Sequence, residues 1–414
     1  MIERLMTPST TPDIRDSDDP LAPYRERFDL PEGVIYLDGN SLGPLPRGVS
    51  DRVAATVADQ WGTSLIRGWN DHAWMDLPTT VGDKIARLIG APAGSVVAGD
   101  STSINVFKAL SAALRLRPGR TTILSDTGNF PTDLYVAQEL AALLGSGYQL
   151  ETVTPDAVES RIDADVAVVM LTEVDYRTGR RHDMKALTRA AHAAGALIIW
   201  DLAHSAGAFP VHLQDCGADF AVGCGYKYLN GGPGALAFLF VAPEHQAHLR
   251  PAIAGWMGHD APFAFDPDYR PAPDIRRMQV GTPPILAMAA LDAALDVFAD
   301  VDMEAVRRKS VALCNLFIDE VERRCPQLEL VTPREADRRG SQVSFRTPEG
   351  YAMMQALIAH GVIGDFRAPD IMRFGFTPLY LRYHDVIAAA EMLERVVNER
   401  LWDQEQFRHR RKVT

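Results

Sequence analysis

Apolar runs at 121–124, 166–171 and 196–200 read as buried strands, and the stretch 183–194 between two of them carries small and apolar residues at helical spacing. Strand alternating with helix predicts βαβ units around a parallel sheet, an α/β fold. Two more runs, 220–224 and 235–241, extend the strand series. After Pro284 the texture changes. Helix-like stretches at 285–300 and 303–324 precede strand candidates at 342–346 and 372–375, and Tyr383-His384-Asp385 introduces a last helix ending near Arg400. This half predicts a second, smaller α+β domain. No internal repeat or low-complexity tract interrupts the pattern.

The 414 residues allow two or three domains, and 47% apolar residues are enough for substantial cores. A net charge of -12, with 42 basic against 54 acidic residues, argues against a nucleic-acid partner. Cys216, Cys224, Cys314 and Cys325 form no CxxC pair and no Cys/His ligand spacing, so neither a metal site nor a disulfide framework is expected. Residues 1–20 lack the apolar core of a signal peptide, and no run is long enough to span a bilayer. A cytoplasmic location with no membrane association is expected. The basic end at 408–412 reads as a solvated tail.

Between the last two strand runs lies Gly225-Tyr226-Lys227-Tyr228-Leu229-Asn230-Gly231-Gly232-Pro233-Gly234. A lysine at a strand end, before glycines that let backbone approach a ligand, is placed to act as a nucleophilic amine rather than as a surface charge. Upstream, Asp201 follows Ile198-Ile199-Trp200 and should emerge at the carboxyl end of a buried strand, where open α/β sheets bind ligands. A strand-end acid and a strand-end lysine are what pyridoxal 5'-phosphate (PLP) chemistry needs, the acid pairing with the pyridinium nitrogen. His204 can bond that carboxylate or a phosphate, and Tyr226 can bind phosphate or exchange protons. Tyr228 reads as packing. Thr102 and Ser103, in Asp100-Ser101-Thr102-Ser103, stand at a helix start where hydroxyls and backbone N–H groups either cap the helix or hold a phosphate. Phe130-Pro131-Thr132-Asp133 either forms a turn over a buried ring or offers an aromatic face to a planar cofactor, with Asp133 beside it.

Six blocks then carry a closer likeness: Tyr36-Leu37-Asp38-Gly39-Asn40-Ser41-Leu42-Gly43-Pro44, Phe130-Pro131-Thr132-Asp133, Trp200-Asp201-Leu202-Ala203-His204, Tyr226-Lys227-Tyr228-Leu229-Asn230, Gly255-Trp256-Met257-Gly258-His259 and Gly281-Thr282-Pro283-Pro284. Together they resemble the kynureninases, over nearly the whole chain and in the family's order. The resemblance implies the PLP-dependent transferase fold of type I: a large domain with a mostly parallel seven-stranded sheet between helices, plus a smaller α+β domain. It divides the chain into an N-terminal arm that joins the small domain (1–50), a large cofactor-binding domain (51–284) and a small domain (285–414).

The same resemblance implies hydrolysis of L-kynurenine to anthranilate and L-alanine in tryptophan breakdown, by a homodimer with shared active sites. By position, Lys227 matches the lysine that carries the cofactor, Asp201 the pyridinium partner and Phe130 the stacking aromatic. Thr102, Ser103, Asp133, Thr172, His204, Tyr226, Trp256 and Thr282 match cofactor contacts. Arg373 matches the arginine that grips the substrate carboxylate, a task suited to a guanidinium fork. Ser41, Trp69 and Gly281 join it as expected substrate contacts, with Trp61 or Trp74 as alternatives to Trp69. Trp69, Gly281 and Thr282 follow the bacterial pattern that favours kynurenine over 3-hydroxykynurenine. Lys227 is expected to move the proton at the substrate α-carbon, and Tyr226 a later one.

Two rivals share the lysine geometry. A cysteine desulfurase needs a reactive cysteine on a mobile C-terminal loop, and the loop-like segment 361–370 contains none. A non-catalytic PLP-binding regulator would carry an added DNA-binding segment, and fewer than about forty residues precede the first block.

Overall fold

The computed structural model describes residues 16–145 and 147–410. Its centre is a seven-stranded sheet built from β1 (Val96–Ala98), β2 (Thr122–Asp126), β3 (Gln149–Val153), β4 (Val166–Thr172), β5 (Leu197–Asp201), β6 (Phe220–Cys224) and β7 (Ala237–Val241). The order across the sheet is β1-β7-β6-β5-β4-β2-β3, and the five strands from β6 to β3 run parallel. β7 is antiparallel to both its neighbours.

The unbroken apolar runs have a direct cause. All seven residues of β4 are buried, because helices cover both faces of the sheet. Val168 and Met170 point into one core with Val106 and Leu110 of α1 (Thr102–Leu116) and Leu140 of α2 (Pro131–Leu144). Val169 and Leu171 point into the other, with Leu187 and Ala191 of α3 (Met184–Ala193) and Leu291 of α4 (Ile285–Leu295). The Ser101 and Asp183 side chains accept backbone N–H bonds at the starts of α1 and α3. β1 and β3 left no sequence signal: β1 is three residues long, and β3 is an edge strand whose Gln149 and Glu151 are not fully buried.

The C-terminal half places α5 (Met303–Arg324), α6 (Gly350–Ala359) and α7 (Tyr383–Asn398) against a four-stranded antiparallel sheet. Its strands are β8 (Glu329–Leu330), β9 (Gln342–Arg346), β10 (Asp365–Arg367) and β11 (Ile371–Gly375), in the order β8-β9-β11-β10. The helix expected over 285–300 is α4 followed by one 3-10 turn, Asp296–Phe298. The segment 361–370 is not a loop. It holds β10 and also Val362–Ile363, which pairs in parallel with Ile35–Tyr36 and ties the start of the chain to this half. Gly361, Gly364 and Pro369 break it into pieces too short for a periodic signal. Residues 1–15 of the expected arm, and residues 411 and 412 of the basic tail, lie outside the described residues. No helix among the described residues is long and apolar enough to cross a membrane.

Candidate active site

Parallel strands bring their carboxyl ends to one edge of the sheet. Thr172 at the end of β4 sits opposite Asp201 at the end of β5, and Asp201 opposite Val222 of β6. Asp201 is 4% exposed, and its Oδ1 accepts the Ala203 N–H at 2.8 Å. Beside it lies Asp133, 2% exposed, brought there by the first turn of α2, whose Pro131 suits a helix start. Burial pushes the Asp201 carboxyl up while Lys227 pulls it back, and burial together with the Asp201 charge holds Asp133 well above the usual carboxylate range.

Asn129 locks this corner. Its Nδ2 donates to Ser125 Oγ at 2.9 Å and its Oδ1 accepts from Phe130 N at 2.7 Å and from Thr172 Oγ1. Phe130 therefore projects from a fixed turn, 40% exposed, its edge packed at 87° on Tyr176 with centroids 5.2 Å apart. The ring is not buried in the turn. It offers a free face at the strand-end edge.

Lys227 is half-buried, its Nζ 3.3 Å from His204 Nε2 and 5.9 Å from the Tyr226 ring centroid. Burial, followed by the charges of Lys227, Arg373 and Arg367, holds the His204 imidazole well below its ordinary range, so it is neutral. His204 faces the lysine; no bond joins it to Asp201. Burial pushes the Tyr226 phenol up, so it stays protonated at neutral pH. Tyr228 is 2% exposed, and its hydroxyl donates to Ser341 O at 3.0 Å, a packing role as expected. The N-terminal block lies against this loop: Gly43 N donates to Tyr226 O at 2.8 Å, and a Cβ on Gly43 would stand 2.4 Å from the Lys227 carbonyl oxygen. Only glycine permits that approach.

A cavity of about 230 Å³ is lined by Thr102, Ser103, Phe130, Asp133, Thr172, Asp201, His204, Tyr226 and Lys227, nine of the expected residues, and also by Asp100, Ser101 and Thr132. Within it, Asp133 Oδ2 is buried with no hydrogen-bond partner in the protein. An orphaned polar atom at this depth calls for a polar guest. The donor set fits PLP: an amine at one end, an acid pair for a ring nitrogen, an aromatic face, and hydroxyls with unpaired backbone N–H groups at the first turn of α1. A larger cleft of about 470 Å³ near Arg180 and Lys185 contains none of these groups.

Arg373, on β11, is 1% exposed and held on three sides. Its Nε donates to Asp365 Oδ1 at 2.8 Å, its Nη2 to Asp365 Oδ2 and to Ser41 Oγ at 2.7 Å, and its Nη1 to Tyr176 O at 2.5 Å. Asp365 is the direct cross-strand partner of Arg373. Arg367, from the same strand as Asp365, reaches Asp365 Oδ2 at 2.7 Å. Asp38, Asp365, Arg367, Tyr176 and Asn129 were not singled out as site residues from sequence. Asp365 and Arg367 alternate along 361–370, and that alternation is visible once the segment is known to be a strand.

Six expected residues do not line this cavity: Ser41 and Arg373 form the cluster just described, and the other four lie elsewhere. Trp69 packs edge-on against Trp74, centroids 5.7 Å apart, and Trp256 is 38% exposed beside Phe263. Gly281 and Thr282 line a separate cavity of about 90 Å³ that shares Asp100 with the first.

A family model, the kynureninase C-terminal domain, matches residues 306–393. The kynureninase of Pseudomonas fluorescens is 53% identical over 406 residues, covering 96% of this chain and 98% of its own. That of Deinococcus radiodurans is 56% identical over 394 residues, covering 94% and 96%. Among solved structures, the Escherichia coli cysteine desulfurase CsdA superposes with a TM-score of 0.76 at 21% identity, covering 92% of this chain and 98% of that one. A C-DES variant with glycine covalently linked to its PLP cofactor gives 0.76 at 17% identity, covering 89% and 98%. These structures share the fold, the α/β architecture of fold-type-I PLP enzymes. With relatives this similar over nearly its full length, the chain belongs to the kynureninase family.

Proposed function

We propose that the strand-end cavity is the catalytic centre, with Lys227 as its working amine. As a kynureninase, the chain is a PLP-dependent hydrolase that splits L-kynurenine and water into anthranilate and L-alanine. The observation that carries the site assignment is the convergence of Lys227, His204, Asp133 and Asp201 on one cavity, with the buried Asp133 Oδ2 left unpartnered. Lys227 and Asp201 would hold the cofactor aldehyde and ring nitrogen, Thr102 and Ser103 its phosphate, and Phe130 one face of its ring. When bound, PLP supplies the electron-withdrawing ring that stabilises a carbanion at the substrate α-carbon.

The protein's task is then to orient and to move protons. Lys227 Nζ takes the α-proton and carries it, while His204, being neutral, accepts a hydrogen bond from the ammonium form without adding repulsion. The Tyr226 phenol, protonated and 5.9 Å from Nζ at its ring centroid, donates a proton in the carbon–carbon cleavage. Arg373 receives the substrate carboxylate, with Ser41 beside it. Loss of Lys227 should abolish turnover: PLP-loaded Lys227→Ala given L-kynurenine forms no fluorescent anthranilate, and appreciable product would overturn the assignment.

A homodimer with shared sites is part of the same reading. It is supported by the position of Trp256 and Thr282 outside their own cavity and by exposed Trp61, Ile66, Phe263 and Phe265. A second copy would bring Trp256 and Thr282 to the cofactor, and Gly281 with Trp69 to the aryl ring. Four free cysteines suit a reducing cytoplasm.

A further inference from the structure

The carboxylate end of the site contains more charge than one arginine needs. Asp365 uses both oxygens on Arg373, so the Nε/Nη2 edge of that guanidinium, the edge best shaped for a carboxylate fork, is already taken. What Arg373 retains for a guest is its Nη1/Nη2 side, where the Tyr176 carbonyl and Ser41 Oγ now sit. Arg367 points at that same place. Its Nη2 lies 3.2 Å from Ser41 Oγ and 2.7 Å from Asp365 Oδ2, and its side chain is 35% exposed where that of Arg373 is 1% exposed. Ser41 Oγ, itself a donor to Asp365 Oδ2 at 2.6 Å, is thus shared by two guanidinium groups and one acid. The second cation has one short contact to an acid already committed elsewhere, and it is within reach of whatever displaces Ser41 from Arg373.

We propose that Arg367 is a second substrate-binding arginine, which with Arg373 clamps the α-carboxylate of the amino-acid substrate over Ser41, while Asp365 acts as the fixed counter-ion that aligns both. This rests on reading the Arg373 pocket as the carboxylate end of the site. The division of labour follows from burial. Arg373, sealed and held by Asp365, sets the position of the carboxylate, and Arg367, a third exposed at the rim, supplies charge as the substrate enters. The clamp acts on substrate binding and leaves the proton transfers at Lys227 alone.

The test uses PLP-loaded Arg367→Gln, Arg367→Lys and Arg373→Gln. KM and kcat for L-kynurenine are measured together with the inhibition constant of the decarboxylated amine of kynurenine, which keeps the aryl ketone and amine but has no carboxylate. Arg367→Gln should raise KM roughly tenfold, the worth of one charge-assisted hydrogen bond, with kcat within about twofold and inhibition by the amine unchanged. Arg367→Lys, keeping charge but losing the fork, should fall between. An unchanged KM in Arg367→Gln, or an equal loss of affinity for the carboxylate-free amine, overturns the proposal. Arg373→Gln separates the two readings: if it also leaves KM unchanged, the pocket itself is misassigned, and if it alone raises KM, only the role of Arg367 falls. A thermal melt of each variant identifies misfolding, and Arg367→Lys then carries the comparison.

Discussion

Replacing Asp365 by asparagine removes one charge from the interior and should destabilise the protein by about 3–5 kcal/mol, the usual loss when one partner of a buried ion pair is deleted. The size follows from exposure. Arg373 and Asp365 have side chains 1% and 2% exposed, so the guanidinium left behind is poorly hydrated. The Arg367 contact adds little, because that side chain is about a third exposed and screened. By contrast, Arg346→Gln breaks a pair with Glu329 whose side chains are 41% and 62% exposed, and its effect should stay below about 0.5 kcal/mol. Urea unfolding followed by far-UV circular dichroism, at one protein concentration, compares the two. The pH dependence has a definite sign. Burial works against the Asp365 charge, but the Arg373 guanidinium prevails and holds the carboxyl below its ordinary range. Its stabilisation is therefore complete above the unfolded carboxylate pKa of about 4 and is lost as pH falls through the folded value. The gap between wild type and Asp365→Asn should shrink in acid, and near neutrality it also carries the response of Asp38, whose carboxyl the Asp365 charge helps push up to about 7. A loss under about 1 kcal/mol at pH 7 would refute the buried-pair argument.

Phe130→Leu keeps apolar bulk but loses the aromatic face, so PLP should bind roughly tenfold more weakly, read by equilibrium dialysis; an unchanged affinity would remove the stacking role. Asp219 accepts hydrogen bonds from His192 at 2.9 Å and His245 at 2.7 Å. Burial opposes its charge, yet these bonds hold it below the usual range, while the bond to Asp219 pushes His192 up. The Asp219 contribution is lost as pH falls through its lowered folded pKa, and the His192 contribution is lost as pH rises through its raised one. The stability deficit of Asp219→Asn should thus peak near pH 5–6 and decline on both sides; a deficit that does not change with pH would contradict this. For specificity, kcat/KM should be higher for kynurenine than for 3-hydroxykynurenine, and Trp69→His should narrow the ratio. A wild-type preference for the hydroxylated substrate would remove the reading of Trp69, Gly281 and Thr282.

Much of this was legible in the chain, and the reason differs by region. Buried strands announce themselves because both faces need apolar side chains: the run at 220–224 is β6 as it stands, and 166–171 is one residue short of β4. Strand-end chemistry is local in sequence, so Asp201 and Lys227 could be placed from the strands alone, while Thr172 came through family likeness. The edge strand β3 is half-solvated and has no such run. The cluster around Arg373 was only half visible. Arg373 stood out through family likeness, but its partners come from β10 and from the Asp38–Ser41 turn, joined by the pairing of Ile35–Tyr36 with Val362–Ile363. No short-range pattern reports a contact between segments that far apart. Asp38 illustrates the consequence. Burial and the neighbouring Asp365 charge push its carboxyl up to about 7, a property set entirely by what the fold places beside it.

Borohydride reduction of the PLP-loaded protein, followed by peptide mass spectrometry, tests whether Lys227 is the amine that carries the cofactor. Lys108 is an informative internal control, because it is 1% exposed and tied to Asp100 Oδ2 at 2.7 Å and Met278 O at 2.6 Å, close to the same helix start. A single stoichiometric pyridoxyl adduct is expected on the peptide containing Lys227. An adduct on Lys108 or another lysine, with Lys227 unmodified, would contradict it.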